Sequence, residues 1–334
     1  MNKVLIIAEA GINHNGDIEI AKKLINVASE AGADLVKFQT FTADQIATKD
    51  LKKVNYQKNN TGNNSSQYEM LSNLELSFSD HEELISHCKK KNINFFSTAF
   101  DIKSLDLLAN LGQKLFKVPS GEITNLPYLR HICKLADSVI ISSGMSTMDE
   151  IRSALNVFLV AGFSKKNIHI LHCTTEYPAP FDEINLFAMQ TIGKAFDVPI
   201  GYSDHTEGTE VSIAAVALGA QVIEKHFTLD KKLIGPDHKA SIEPDELRFM
   251  IRSIRNIERA LGDGEKIPTK SEEINKPNIR KSIVAKCTIK SGEIFTIENL
   301  TTKRPGIGIS PMSWDLVIGS VANRDYKQDD LIEI

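Results

Sequence analysis

The sequence has little of what marks membrane, secreted or nucleic-acid-binding proteins. Its first apolar run starts at Val4 and is interrupted by Glu9, and no later run approaches the roughly 18 residues that span a bilayer. So short a run is also unlike a secretory signal. The four cysteines are scattered without a CxxC spacing, so neither a disulfide framework nor a zinc knuckle is indicated. We therefore expect a cytoplasmic protein without a membrane anchor.

An excess of charge of one sign is also missing. The formal net charge is −4, and the densest basic stretch is the lysine run at 89–91. Because nucleic acids and anionic membranes attract strongly basic surfaces, neither is expected as the main partner. The content of 42% hydrophobic and 25% charged residues is instead ordinary for a soluble globular protein.

What the sequence does have is a regular alternation of short apolar runs with amphipathic segments of helical length. The runs predict eight strands, at residues 4–9, 34–39, 94–99, 114–118, 138–143, 168–173, 198–202 and 220–226. Helices are predicted near 17–32, 79–92, 101–111, 126–136, 147–162, 183–196, 208–219 and 243–262. This pattern predicts an α/β fold over residues 1–262, a (β/α)₈ TIM barrel with its chemistry at the C-terminal ends of the strands.

Local signals add detail to this pattern. Ser79 before Glu82 and Thr147 before Glu150 are typical of helix starts. Residues 42–78 form a long polar connection after the second strand, which we expect to be functional or partly disordered.

The pattern changes after the last predicted helix of the barrel. A charged linker at 263–280 leads into short β-like runs that are separated by Gly and Pro. Residues 281–334 therefore predict a second, small β-rich domain.

Every predicted barrel strand ends in hydrogen-bonding or charged groups, where a purely structural strand would favour Val, Ile and Leu. The residues concerned are Glu9, Lys37, Gln39, Ser97, Thr98, Lys117, Ser120, Glu122, Ser142, Ser143, His172, Thr174, Thr175, Ser203, His205, Glu224 and His226. A single polar strand end has a ready structural explanation, but eight together do not. Since the strand ends of a barrel meet at one face, we expect these side chains to share one site.

Two lysines within this set indicate an anion site. Lys37 and Lys117 could hold a phosphate or a carboxylate, and the alternative is that they are rim lysines with their ammonium groups in water. Glu9 and Glu122 could likewise do no more than form ion pairs with these lysines.

Two histidines indicate a metal site. His205 and His226 end adjacent strands, so their ring nitrogens could share a divalent ion with a carboxylate or water. The alternative is that both are ordinary core histidines with satisfied hydrogen bonds. A site with open coordination positions would suit Lewis-acid catalysis.

Ten motifs occur in order along almost the whole chain. They are AEAGINHNGD, VKFQTF, FSTAFD, KVPSGE, SSGM, HCTTEYPAP, GYSDHT, EKHFTLD, GPDHKAS and TTKRPGIGISP. Together they resemble the sialic acid synthase family, and the C-terminal portion resembles that family's antifreeze-like (SAF) domain. The resemblance implies condensation of phosphoenolpyruvate with an open-chain N-acetylmannosamine-type aldose, with release of phosphate and formation of a nine-carbon 2-keto acid.

The resemblance also implies roles for individual residues. Phosphoenolpyruvate would be surrounded by Lys37, Thr98, Lys117, Ser120, Ser142 and Ser203, and the sugar by Gln39, Thr175, Tyr177 and Asp237. Glu9 and Glu122 would be the catalytic acidic pair. His205 and His226 would take part in catalysis by binding a divalent metal, typically Mn²⁺.

Arg304, in the KRPG segment of the small domain, gains a role only from the resemblance. It matches an arginine that enters the barrel of the partner subunit and meets the acetamido group of the sugar. The family therefore implies a domain-exchanged homodimer. Without it, Arg304 would be interpreted as an exposed turn residue.

The sugar is the main alternative that the sequence leaves open. HCTTEYPAP, with Thr175 followed by Glu176, is closer to the branch that includes legionaminic acid synthases, which would use a 6-deoxy, 2,4-diacetamido mannose. The other candidate is N-acetylneuraminate synthesis from N-acetylmannosamine. A metal-dependent hydrolase would more often carry HxH after its first strand, where this chain has NHN, and a non-catalytic sugar-binding protein would not need the charged residues retained here.

Overall fold

The computed structural model describes residues 3–61 and 65–334. Contacts between residues divide the chain into two compact units, one ending at Gly262 and the other beginning at Asp263. No helix in the described ranges is long and apolar enough to cross a membrane.

The first unit is built on eight parallel strands. They are β1 (Leu5–Gly11), β2 (Leu35–Thr40), β3 (Asn94–Ala99), β4 (Leu115–Val118), β5 (Ser138–Ser142), β6 (Ile168–Cys173), β7 (Ile200–Asp204) and β8 (Val222–His226). Their order in the sheet is β3-β2-β1-β8-β7-β6-β5-β4, and contacts between β3 and β4 close it into a barrel. The predicted fold class is confirmed, with strand bounds that differ from the prediction by two residues at most.

Helices follow the strands and cover the outside of the barrel. They are α1 (Ile18–Ala31), α2 (Ala43–Ile46), α3 (Asn55–Thr61), α4 (Gln67–Ser72), α5 (Phe78–Lys90), α6 (Ile102–Asn110), α7 (Leu126–Leu135), α8 (Met148–Val160), α9 (Phe187–Phe196), α10 (Glu210–Ala217) and α11 (Pro244–Ala260). Three of them, α2, α3 and α4, lie in the long connection at 42–78. Where it is described, that connection is therefore folded against the barrel.

The helix caps test two sequence predictions. Thr147 caps α8 and forms the predicted capping box with Glu150. The prediction for α5 was wrong, because the helix begins two residues earlier and Ser77 is its cap, paired with Asp80. Ser77 satisfies the first free backbone amides, so Ser79 lies inside the helix.

The apolar core has an outer and an inner part. Two large clusters fill the space between the strands and the surrounding helices. A smaller cluster fills the inside of the barrel and consists of Ile7, Phe96, Ile140, Leu171 and Val222, with Leu5, Leu35 and Leu115 packed against it. This inner cluster fills the lower part of the barrel, below its C-terminal mouth.

The second unit contains the remaining regular elements, α12 (Lys270–Ile279), β9 (Ser282–Ala285), β10 (Leu300–Lys303) and α13 (Trp314–Val317). β9 and β10 pair antiparallel, and single bridges elsewhere hold the turns together. Its own core includes Ile283, Phe295, Val317 and Tyr326. The small β-rich domain predicted from the sequence is thus confirmed, with two strands of four residues each.

Candidate active site

The candidate site follows from the period of two along a β-strand. Residues two positions beyond each inner apolar residue point into the same barrel, one layer nearer the C-terminal face. Thus Ile7 is followed by Glu9, and Val222 by Glu224. The complete layer consists of Glu9, Lys37, Thr98, Lys117, Ser142, Cys173, Ser203 and Glu224, and all of these side chains line one cavity of about 460 Å³.

This cavity brings together most of the residues predicted from the sequence. Besides the layer above, it is lined by Gln39, Ser120, Thr175, Tyr177, His205 and His226. Asp237 lines an adjoining cavity of about 260 Å³, which also contacts Gln39, Tyr177 and His226. The fold therefore brings most of the predicted strand-end side chains together at the barrel mouth.

Four charged groups lie side by side at the floor of the cavity. Lys37 Nζ is 3.1 Å from Glu9 Oε2 and 3.2 Å from Glu224 Oε2, although neither contact has hydrogen-bond geometry. Lys37 Nζ does donate to Thr98 Oγ1 at 3.1 Å, and Lys117 donates to Glu224 Oε1. Two ammonium groups and two carboxylates are thus buried together, which provides fixed cations for an anionic ligand.

The neighbouring lysines separate the protonation behaviour of the two buried carboxyls. Burial raises the pKa of Glu9 to about 7, against the opposing influence of Lys37. For Glu224 burial acts in the same direction, but Lys117 and Lys37 outweigh it and hold the pKa of that carboxyl far below its usual range. Glu224 is therefore a fixed negative charge, whereas Glu9 can exchange a proton near neutral pH.

Hydrogen bonds hold Ser203 and Ser120 in the wall of the cavity. Ser203 Oγ donates to Glu224 Oε1 at 3.0 Å, and the Gly144 amide donates to Ser120 Oγ at 3.1 Å. Ser142 Oγ is buried, and the described part of the chain offers it no hydrogen bond. A hydroxyl left in this state is suited to a ligand atom.

The hydrogen bonds of His205 and His226 decide which of their ring nitrogens could bind a metal. His205 Nδ1 donates to the Thr174 carbonyl oxygen at 2.5 Å, which leaves the lone pair on Nε2, where Tyr177 Oη donates at 3.1 Å. His226 Nδ1 is buried and has no hydrogen-bond partner among the described residues, although Asp237 Oδ2 lies 4.0 Å away. The ring centroids are 5.5 Å apart.

The protonation of these rings also fits metal binding. Burial lowers the pKa of His205 to about 4, and burial together with His205 lowers that of His226 well below its usual range. Both rings are therefore neutral at pH 7, the form that binds metals. Within the described chain, no group of three or more His, Cys, Asp or Glu side chains is arranged to hold a metal ion.

Not all strand-end residues that were expected to share this site line the cavity, and those missing from its described wall are Ser97, Glu122, Ser143, His172 and Thr174. Glu122 lies in the 3₁₀ turn after β4, where its carboxylate accepts a hydrogen bond from Asn125 Nδ2 at 2.6 Å, and it is not among the described residues that line the cavity. The carboxylate that shares Lys37 with Glu9 is Glu224. Arg304 lies in the second unit, where its Nε donates to the Ile279 carbonyl at 2.9 Å. The roles of Glu122 and Arg304 stay predictions.

A second buried charge pair, which the sequence did not indicate, lies in the barrel wall behind the histidines. Lys225 Nζ is 3.1 Å from Asp204 Oδ2 and donates to the Thr206 carbonyl at 2.6 Å. Asp204 also accepts hydrogen bonds from Thr206 and from Ser212 Oγ. Asp204 precedes His205 and Lys225 precedes His226, so this pair fixes the backbone from which both histidines project.

Comparison with known proteins agrees with this geometry. The NeuB family model matches residues 24–266, and the SAF domain model matches residues 280–333. The chain belongs to the NeuB family, and the predicted resemblance to sialic acid synthases is confirmed.

Individual relatives make the family assignment more specific. The chain is 57% identical to the N,N'-diacetyllegionaminic acid synthase of Campylobacter jejuni over 99% of both chains. It is 48% identical to the Legionella pneumophila enzyme of the same name, over 94% of this chain and 89% of that one. Among solved structures, the N-acetylneuraminic acid synthetase of Leptospira borgpetersenii matches with a TM-score of 0.72 and 34% identity, covering 82% of this chain and 90% of that chain. These relatives are synthases, which supports an enzymatic function.

Proposed function

We propose that this protein is an N,N'-diacetyllegionaminate synthase. It condenses phosphoenolpyruvate with the 6-deoxy, 2,4-diacetamido derivative of mannose and releases phosphate. The observation that carries the proposal is the 57% identity, over nearly the whole chain, to a synthase of that name. The buried lysines and carboxylates at the barrel mouth supply groups that this chemistry requires. The alternative is an N-acetylneuraminate synthase acting on N-acetylmannosamine, as the name of the Leptospira structure describes.

The reaction forms one carbon–carbon bond and breaks one bond to phosphate. C3 of phosphoenolpyruvate attacks the aldehyde carbon of the open-chain sugar, whose oxygen takes up a proton. Water then adds to the cationic C2, and loss of phosphate leaves the 2-keto acid. Both the starting phosphate and the intermediate are charged, so a buried and preorganised site is needed.

Residues of this chain can be given roles in these steps. Lys37 and Lys117 hold the phosphate and carboxylate of phosphoenolpyruvate, together with the hydroxyls of Ser142 and Ser203. Because its pKa is raised to about 7, Glu9 can donate a proton to the aldehyde oxygen. Held by His205 and His226, a divalent ion, which we propose to be Mn²⁺, would polarise that oxygen.

The test is a substrate panel. Phosphate release is measured with phosphoenolpyruvate, Mn²⁺ and either the diacetamido sugar or N-acetylmannosamine, and the mass of each product is determined. We expect release only when all three components are present, with a higher kcat/KM for the diacetamido sugar. Phosphate release at the same rate without sugar would contradict a synthase, and preference for N-acetylmannosamine would favour the alternative.

The proposal includes a homodimer in which Arg304 completes the site of the partner subunit. Arg304→Ala and Lys117→Met variants, each nearly inactive alone, are co-expressed with different tags and the mixed dimers are purified. If Arg304 acts across subunits, the purified mixed dimers recover about half of wild-type activity, since one of the two sites in each dimer is intact. If Arg304 acts within its own chain, no intact site forms and activity stays at the level of the single variants.

A further inference from the structure

The adjoining cavity of about 260 Å³ is not needed for phosphoenolpyruvate. It opens beside Tyr177 and His226, both of which also line the main cavity. Much of its wall is apolar and comes from the barrel mouth and the connection after β2, namely Ile12, Phe41, Ile46, Met70, Leu71 and Phe100. A cavity with such a wall suits a small apolar group that carries a polar attachment.

Three glutamines, Gln39, Gln57 and Gln67, line both cavities, and the last two come from the connection after β2. Gln57 Oε1 accepts hydrogen bonds from the Val54 amide at 3.2 Å and from Gln67 Nε2 at 3.1 Å. Because two donors point at this atom, it is the oxygen, and the orientation of the Gln57 amide is fixed.

This arrangement leaves one donor and one acceptor for a ligand. No hydrogen bond within the described chain uses Gln57 Nε2 or Gln67 Oε1. A secondary amide presents a carbonyl oxygen and an N–H, which are the complements of these two atoms. Side chains that can hydrogen-bond a ligand group discriminate strongly against a ligand that lacks it.

We propose that this pocket receives the second acetamido group of the sugar, with Gln57 and Gln67 bonding its amide and the apolar wall taking its methyl group. This inference rests on the proposed function, because the names of the relatives specify a product with two N-acetyl groups. The family resemblance gives Arg304 to one acetamido group, so the other needs a separate receptor. Gln57 and Gln67 are then specificity-determining residues, and they lie in the connection expected to be functional.

The experiment compares both sugars in matched variants. Gln67→Met and Gln57→Leu keep side chains of similar size without amide groups, and Gln45→Leu is the control because Gln45 is an exposed glutamine in the same connection. We expect kcat/KM for the diacetamido sugar to fall about 10- to 100-fold in the first two variants. Turnover of N-acetylmannosamine and KM for phosphoenolpyruvate should stay at wild-type values, and Gln45→Leu should change nothing.

The outcomes separate this pocket from the proposed function. If wild-type enzyme prefers the diacetamido sugar and Gln67→Met and Gln57→Leu keep that preference, the pocket assignment is overturned and the function stands. If both sugars lose kcat/KM equally, the glutamines support the fold of the connection, and the assignment is again overturned. If the wild-type enzyme uses only N-acetylmannosamine, the proposed substrate and the pocket assignment both fail.

Discussion

The two faces of β7 and β8 each carry buried charges, and the two sets differ in how fully they are satisfied. On the inner face, Glu224 joins Lys37 and Lys117 at the cavity floor. On the outer face, one residue further along each strand, Asp204 pairs with Lys225. Both members of the outer pair have side chains with 0% exposure. By burial alone, either set could be the functional one.

The inner and outer sets of buried charges differ in their hydrogen bonding. Asp204 and Lys225 have no buried side-chain atom without a partner in the described chain, and Thr206 and Ser212 complete their shell. The inner set leaves an oxygen of Glu9 and one of Glu224 without hydrogen bonds, next to an open cavity. A satisfied pair is a structural element, whereas an unsatisfied set is prepared for a ligand. The comparison therefore predicts opposite effects of matched substitutions.

The largest effect on stability is expected from Lys225→Met. It leaves the Asp204 carboxylate buried without its cation, which should lower the free energy of unfolding by about 3–5 kcal/mol. Urea denaturation without added metal measures this. The double variant Asp204→Asn, Lys225→Met removes both charges and should lose less stability than the single variant. A single variant as stable as wild type would mean that water or another group compensates Asp204.

The matched change on the inner face is Lys117→Met. It removes a cation from the layer that lines the cavity, and burial already lowers the pKa of this lysine. We expect activity to fall far more than stability, because Lys37 still neutralises Glu224. A loss of stability as large as that of Lys225→Met would remove the distinction between the two faces.

The sequence was sufficient to predict the barrel and most residues of the cavity. Both follow from the periodicity of apolar residues in strands and helices, which is visible in a single sequence. Glu224 was predicted to lie in the site as a strand-end residue, but it was given no role there. The period of two that puts it in the layer of Glu9 would have indicated its place. Glu122, in the 3₁₀ turn after β4, accepts a hydrogen bond from Asn125 and is not among the described residues that line the cavity, so its role stays a prediction.

Other features could not have been predicted without the fold. The Asp204–Lys225 pair depends on the register of β7 against β8, which no single sequence specifies. The helices α2 to α4 are too short to show an apolar stripe, and only the capping box of Ser66 and Glu69 marks one of them. The contact between Gln57 and Gln67 joins two of these short helices and follows from their packing.

The smallest effects on stability and KM are expected from replacing two buried serines, one of which has a hydrogen-bond partner while the other has none in the described chain. Ser212 Oγ donates to Asp204 Oδ2 at 2.6 Å, so Ser212→Ala removes a hydrogen bond to a buried charge and should cost about 1.5–3 kcal/mol of stability. Ser142 Oγ has no partner in the described chain, so Ser142→Ala should leave the unfolding free energy almost unchanged while raising KM for phosphoenolpyruvate. Urea denaturation and steady-state kinetics on both variants measure the two effects. The opposite results would be a loss of stability with unchanged KM in Ser142→Ala, or a raised KM with unchanged stability in Ser212→Ala. Either result would mean that unsatisfied hydrogen-bonding atoms do not distinguish functional from structural residues in this barrel.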